Sequence, residues 1–254
     1  MVPYYACVIF LFGACFGSFY NVVGYRLPRN MSIIRPNSHC TSCKHELNIK
    51  DLFPIFSYIF LKGKCRYCGS KVGLFYPFFE LLTGLLFMFS YLKFGFSYEF
   101  YIALIFISMA LIVILSDFST MIIPDEVLIV SSILIIIVNL IMKGFSYTGF
   151  MIINGLIAFL CMYLLKLFGD FLFKKESMGG GDVKMMFVFG LVLGWPTTIL
   201  SIFLSSFIAL PASFILMNRN EEHEIPFGPF LVIAALILFI SGIDMNFVLD
   251  IMTK

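Results

Sequence analysis

The chain has 254 residues, 61% of them hydrophobic and only 13% charged, with a formal net charge of +2 and a mean hydropathy of +1.00. That composition argues against one or two water-soluble domains and places the chain in the membrane class. Outside one cysteine-bearing segment no basic block is interleaved with aromatics, so nucleic-acid binding has little support.

The first apolar run, 2–23, has no basic stretch ahead of it and is followed by Tyr25-Arg26, which reads as a retained helix and not a cleaved signal peptide. Further runs at 76–94, 98–116, 126–142, 149–168, 183–195, 197–217 and 227–249 complete the pattern. The expected fold is an all-α polytopic membrane protein of about eight transmembrane helices. Within 183–217, Gly194-Trp195-Pro196 fits either a tight turn between two short helices or a kink in one long one. The expected organisation is a first transmembrane helix (1–23), a small cytoplasmic zinc-knuckle domain (24–75) and a membrane-embedded domain (76–254).

Basic residues set the expected orientation. Arg26, Arg29, Arg35, Lys44, Lys50, Lys62, Lys64, Arg66 and Lys71 lie in the long loop, Lys166, Lys174, Lys175 and Lys184 border the glycine-rich loop, and Arg219 follows the seventh run. Only Lys93, Lys143 and Lys254 fall on the other side. This predicts an outside N-terminus in a plasma or inner membrane. The long loop, Asp117 and Asp182 then all face the cytoplasm.

Four of the seven cysteines stand as Cys40-x2-Cys43 and Cys65-x2-Cys68. Each CxxC turn can present two thiolates, and two such knuckles complete a tetrahedral sulfur site. Lys44 and Arg66 favour thiolates, and Gly69 permits a positive φ. A reducing cytoplasm disfavours disulfides, so one structural zinc is expected, with rubredoxin-type iron as the competitor. His39 and His45 read as surface residues, and Cys7, Cys15 and Cys161 as small apolar ones.

Two acids stand at the borders of apolar runs: Asp117, which begins a short loop, and Asp182, which closes Gly179-Gly180-Gly181-Asp182. An aspartate at the centre of a membrane helix costs about 2.5–3.5 kcal/mol, so such groups are solvated, paired or used. Pro124, Asp125 and Glu126 suit the start of the following helix. Asp117 lacks that explanation, because an acid at a helix C-terminus opposes the macrodipole. Asp182 reads equally well as an N-cap of a helix starting at Val183, and the glycines as a flexible link. The three glycines also bare the backbone for an extended peptide. If a helix N-terminus keeps Asp182 ionised while a neighbouring Asp117 lacks that help, the two acids share one proton. One then activates water while the other protonates the carbonyl oxygen or leaving amine. Glu80 is a third acid, read as a recognition group or a polar contact between helices. Pro226-Phe227-Gly228-Pro229 opens the last run. No Ser-His-Asp arrangement or HExxH is present.

The ordered set of motifs resembles the type IV prepilin peptidases, leader peptidase/N-methyltransferases of the GxGD aspartic class. It comprises Gly17-Ser18-Phe19-Tyr20-Asn21 with Arg26-Leu27-Pro28, the paired CxxC loop with Pro54-x2-Ser57-Tyr58 and Gly63-Lys64-Cys65, and Tyr76-Pro77-x2-Glu80. Asp117 with Ile123-Pro124-Asp125, Gly179-x-Gly181-Asp182 with Lys184, and Pro226 to Pro229 follow. The resemblance implies Asp117 and Asp182 as catalytic pair, zinc on the four cysteines, and prepilins or pseudopilins as substrates. It also implies cleavage after a glycine and methylation of the new N-terminus with S-adenosylmethionine. No glycine fingerprint marks the donor site, for which Gly63 is the one candidate. The rival readings are a proton-coupled transporter using Asp117, Glu80 and Asp182 as a relay, and a noncatalytic membrane scaffold.

Overall fold

A computed structural model describes residues 1–217 and 226–243. Arg219, His223, Ile225, Lys254 and the end of the expected 227–249 run lie outside the described residues. Among the described residues the fold is all-helical, with two isolated β-bridges and no strand. Five helices among the described residues are long and apolar enough to cross a membrane: α1 (Val2–Arg26, extended by a short 3-10 turn to Arg29), α3 (Phe75–Phe94), α4 (Tyr98–Thr120), α5 (Asp125–Lys143) and α6 (Phe145–Phe173). The others are the single-turn α2 (Phe56–Phe60), α7 (Gly180–Leu193), α8 (Trp195–Met217) and α9 (Gly228–Ser241). The chain divides into two compact units, Met1–Leu115 and Ser116–Lys254.

In the first unit, α1 and α3 pack backbone against backbone. A Cβ at Gly13 would stand 2.9 Å from the Gly84 Cα, and one at Gly17 would stand 2.8 Å from the Glu80 Cα. Lipid offers no hydrophobic drive between helices, so close approach at small residues supplies the attraction. Polar side chains join that interface too. Asn21 donates to the Tyr76 carbonyl at 3.3 Å, and the Tyr20 hydroxyl bonds Ser108 on α4. Ala103, Phe106, Ile107, Met109, Ala110 and Val113 of α4 are fully buried.

In the second unit the same device joins α6 to α7. A Cβ on Gly190 would come within 2.6 Å of the Gly155 Cα, backbone that cannot yield. Next to this contact the Trp195 N–H donates to Asn154 Oδ1 at 3.1 Å, and Gly194 turns the chain at φ +77°. The Gly194-Trp195-Pro196 segment is therefore a turn between two helices and not a kink within one.

Two local boundaries differ from expectation, both at the acids. Helix α4 runs on to Thr120, so Asp117 sits inside its last turn and not in a loop. The hydroxyls of Ser119 and Thr120 donate to the Ser116 carbonyl, and the Met121 N–H closes on the Asp117 carbonyl at 2.8 Å. Helix α7 starts at Gly180, with Gly179 as N-cap, so Asp182 is the third residue of its first turn and not the N-cap. Ser177 holds the chain ahead of it. Its N–H and hydroxyl both donate to Asp170 Oδ1, at 2.6 and 2.8 Å, which leaves the glycines free to begin helix early.

Candidate active site and metal centre

The metal centre grows from two copies of one turn. In the first, the Lys44 N–H returns to the Cys40 carbonyl and the Cys40 N–H to that of His45; in the second, Gly69 returns to Cys65 and Cys65 to Ser70. The fifth residue of each turn has positive φ, +59° at Lys44 and +72° at Gly69. Short bridges, His39 with Glu46 and Lys64 with Lys71, close the two knuckles alike. The four sulfurs lie within 4.8 Å of one another, and Cys40 Sγ is 3.8 Å from Cys68 Sγ. Zinc–sulfur bonds of about 2.3 Å in a tetrahedron require sulfurs roughly 3.8 Å apart, so this donor set can hold a metal ion. None of the cysteines is in a disulfide.

The thiols are also electrostatically prepared. Backbone N–H of Cys43, then the Ser70 hydroxyl and the Ser42 N–H, hold the Cys40 thiol down to about 5. The backbone N–H of His45 favours the Cys43 thiolate, but burial and the neighbouring cysteines outweigh it and push that thiol up to about 11. Such a cluster cannot ionise fully without a cation among the sulfurs. His45 instead packs against Tyr67, ring centroids 3.6 Å apart and the planes tilted by 37°, and His39 Nδ1 lies 3.0 Å from the Asn37 carbonyl.

Glu80, buried on α3, accepts the Ile55 N–H at 2.8 Å. Ile55 has φ +62°, a strained conformation for a β-branched residue, at the start of α2. Glu80 thus ties the cysteine-bearing segment to α3. Gly63, at φ +67°, has a conformational reason to be glycine, and a Cβ there would meet the Tyr58 hydroxyl at 2.7 Å.

Asp117 and Asp182 are both buried in the second unit, 6% and 8% exposed. They meet at Gly228, the first residue of α9. A Cβ built there would lie 2.7 Å from Asp117 Oδ2 and 3.3 Å from Asp182 Oδ1, so those two oxygens cannot be farther apart than the sum of these distances. The first backbone N–H of α9, that of Gly228, lies beside Asp117. Asp182 Oδ1 has no hydrogen-bond partner among the described residues. Ile123 completes the wall, since a Cβ on Gly181 would stand 2.8 Å from the Ile123 Cβ. Gly180 has open space beside it, and Gly179 lies within reach of Asp182 Oδ2. Nearby, Lys184 pairs with Asp125 over an apolar groove of about 480 Å³ between α5, α6 and α7.

Two spatially close carboxyl groups, one of them beside a helix N-terminus, can divide a single proton between them and so act as base and acid in one site. Gly228 and Ile123 were not singled out as contacts of the acids by the sequence alone. The only available signal was the Pro226-Phe227-Gly228-Pro229 pattern, a glycine held between prolines at a helix start.

Residues 11–94 match the bacterial peptidase A24 N-terminal domain, and residues 104–214 match the type IV leader peptidase family. The chain is 34% identical over 239 residues to the prepilin leader peptidase/N-methyltransferase of Bacillus subtilis (strain 168), a match covering 92% of this chain and 94% of that relative. It is 30% identical over 262 residues to the protein of that name from Pseudomonas aeruginosa, covering 93% and 90% of the two chains. It is 28% identical over 265 residues to the one from Aeromonas hydrophila, covering 94% and 91%. No solved structure matches the chain. The chain belongs to the type IV leader peptidase family.

Proposed function

We propose that this protein is a membrane-border aspartic endopeptidase that removes the leader of type IV prepilins or pseudopilins after a glycine, and that it methylates the freed N-terminus with S-adenosylmethionine as donor. The observation that carries the peptidase reading is the convergence of two buried carboxyl groups on the Gly228 position, in a chain whose relatives are named prepilin leader peptidase/N-methyltransferase.

In this reading one aspartate takes a proton from water as its oxygen attacks the scissile carbonyl carbon. The other gives a proton to the amide nitrogen as the C–N bond breaks. One water is consumed, and the pair ends with the proton count it began with. Gly179, Gly180 and Gly181 bare the backbone beside Asp182, where an extended peptide can approach. A prepilin's apolar segment would occupy the bilayer while its basic leader stays in the cytoplasm, which puts the scissile bond at the cytoplasmic border. The basic-residue distribution supports that orientation, with an outside N-terminus and eight spans in a plasma or inner membrane.

Cys40, Cys43, Cys65 and Cys68 would hold one zinc in a closed shell with no open position, so the metal organises the loop and takes no part in hydrolysis. Methyl transfer is supported by the relatives' names; Gly63 is explained by its turn, and no donor-binding residue or transfer step is assigned.

The test is reconstitution of the purified protein in lipid with a prepilin, comparing wild type with Asp117→Asn and Asp182→Asn. Each substitution should lower cleavage by roughly 10²–10⁴-fold while leaving the fold and one zinc per chain intact. Normal processing by either variant would remove the peptidase reading. Mass spectrometry of the processed N-terminus reads methylation, and an unmodified amine with donor present would leave the peptidase alone.

A further inference from the structure

We propose that Gly228 is a positioning residue for the aspartate pair: the α9 N-terminus supplies the backbone donor that holds Asp117, and the missing side chain is the space in which the two acids meet. The inference rests on the peptidase reading above and deepens it.

Three observations converge on one atom position. Asp117 lies in the last turn of α4, where that helix's own dipole disfavours a negative group. The N-terminus of α9 faces it and reverses the sign of the local field. Gly228 is the first residue of α9, its N–H has no partner within the helix, and it lies against Asp117, so it is free to donate to that carboxylate. Pro229 follows and has no N–H, so no adjacent donor competes at this point. The space is equally defined. Even a methyl group on Gly228 would press on oxygens of both acids, at 2.7 and 3.3 Å, and on Ile123 Cδ1 at 3.3 Å. The φ of Gly228 is outside the left-handed region, so no positive φ requires a glycine there. The contacts that a side chain would meet are those with the acids and Ile123.

A division of labour follows from the same geometry. Asp117 accepts the fixed N–H and is the base, aligned before water is activated. Asp182 Oδ1, buried with no partner among the described residues, is the atom left to hold the pair's proton. It gives that proton to the leaving nitrogen.

The experiment is Gly228→Ala in the full-length protein in lipid, with prepilin cleavage followed at varied substrate concentration. Gly149→Ala, on α6, serves as control, because a Cβ there meets nothing within 4 Å. A misplacement of about 1 Å can cost on the order of 10²-fold in rate. We expect Gly228→Ala to lower kcat on that order with KM within about 2-fold, and binding of an uncleavable prepilin unchanged. A wild-type kcat would overturn the inference, as would a loss confined to KM. If the variant is unstable, a cycle with Asp117→Ala decides. Removing the carboxylate should relieve the destabilisation if the clash with the acid causes it. Equal destabilisation in both backgrounds would show that Gly228 serves helix packing alone and would overturn the inference. The two failures are distinguishable: active Asp117→Asn or Asp182→Asn variants would remove the peptidase reading, whereas inactive ones beside a fully active Gly228→Ala would remove only the positioning role.

Discussion

Lys184 Nζ lies 2.7 Å from Oδ2 and 2.9 Å from Oδ1 of Asp125, a two-point ion pair that joins the second turn of α7 to the first turn of α5. Each partner is two residues from a wall of the candidate site: Asp125 from Ile123, and Lys184 from Asp182. Both side chains are about half exposed, 53% for Lys184 and 52% for Asp125. An exposed pair of this kind contributes little to stability, typically about 0–1 kcal/mol. Its consequence is alignment of the α7 start, which carries Asp182, with the α5 start next to Ile123.

Lys184→Met and Asp125→Asn should therefore each leave the melting temperature nearly unchanged and lower kcat for leader cleavage by on the order of 10-fold. The exchange Asp125→Lys with Lys184→Asp should recover most of that loss, because the coupling belongs to the pair. Cleavage assays on the four proteins in lipid check this. Additive losses in the double exchange would mean the two residues act separately.

How far the sequence reached can be judged at particular residues. Every apolar run has a helix at its place among the described residues, because hydrocarbon demands internally satisfied backbone and the run lengths record it. The four cysteines were legible from spacing alone, since a CxxC knuckle is a local structure. Asp117 and Asp182 were legible as anomalies, acids where acids are costly. What favours Asp117 was not legible. The answer is the N-terminus of a helix more than a hundred residues away in sequence, and no local pattern encodes that approach. Nor did spacing give Glu80 its partner, because the Ile55 N–H is a backbone group that any residue would carry.

The two knuckles differ at one matched position. Lys44 and Gly69 both adopt left-handed backbone, yet only one is glycine. A residue with a Cβ pays roughly 1–2 kcal/mol in that region. Lys44→Gly should tighten metal binding several-fold by removing the strain, and Gly69→Val should weaken it by on the order of 10-fold. Competition with a chromophoric chelator on the intact protein measures both. Equal effects of the two substitutions would mean the turn geometry does not limit affinity.

Asp51 braces the second knuckle from the chain between the two. Its carboxylate accepts Arg66 Nε at 2.6 Å, the Tyr67 hydroxyl at 3.1 Å and the Asn48 N–H at 3.2 Å. Burial opposes its charge, but the Arg66 hydrogen bond and the Asn48 and Tyr67 donors outweigh that and hold the carboxyl below its ordinary range. The sign is that of a depressed acid. Its stabilising contribution is complete above the unfolded carboxylate value and is lost as pH falls through the lower folded one. Asp51→Asn should therefore make the loop 24–75 more sensitive to limited proteolysis. The difference from wild type should stay constant between about pH 5 and 8, because Asp51 remains ionised throughout that window. A difference that shrinks as pH falls within it would mean the carboxylate titrates there and that Arg66 does not hold it ionised.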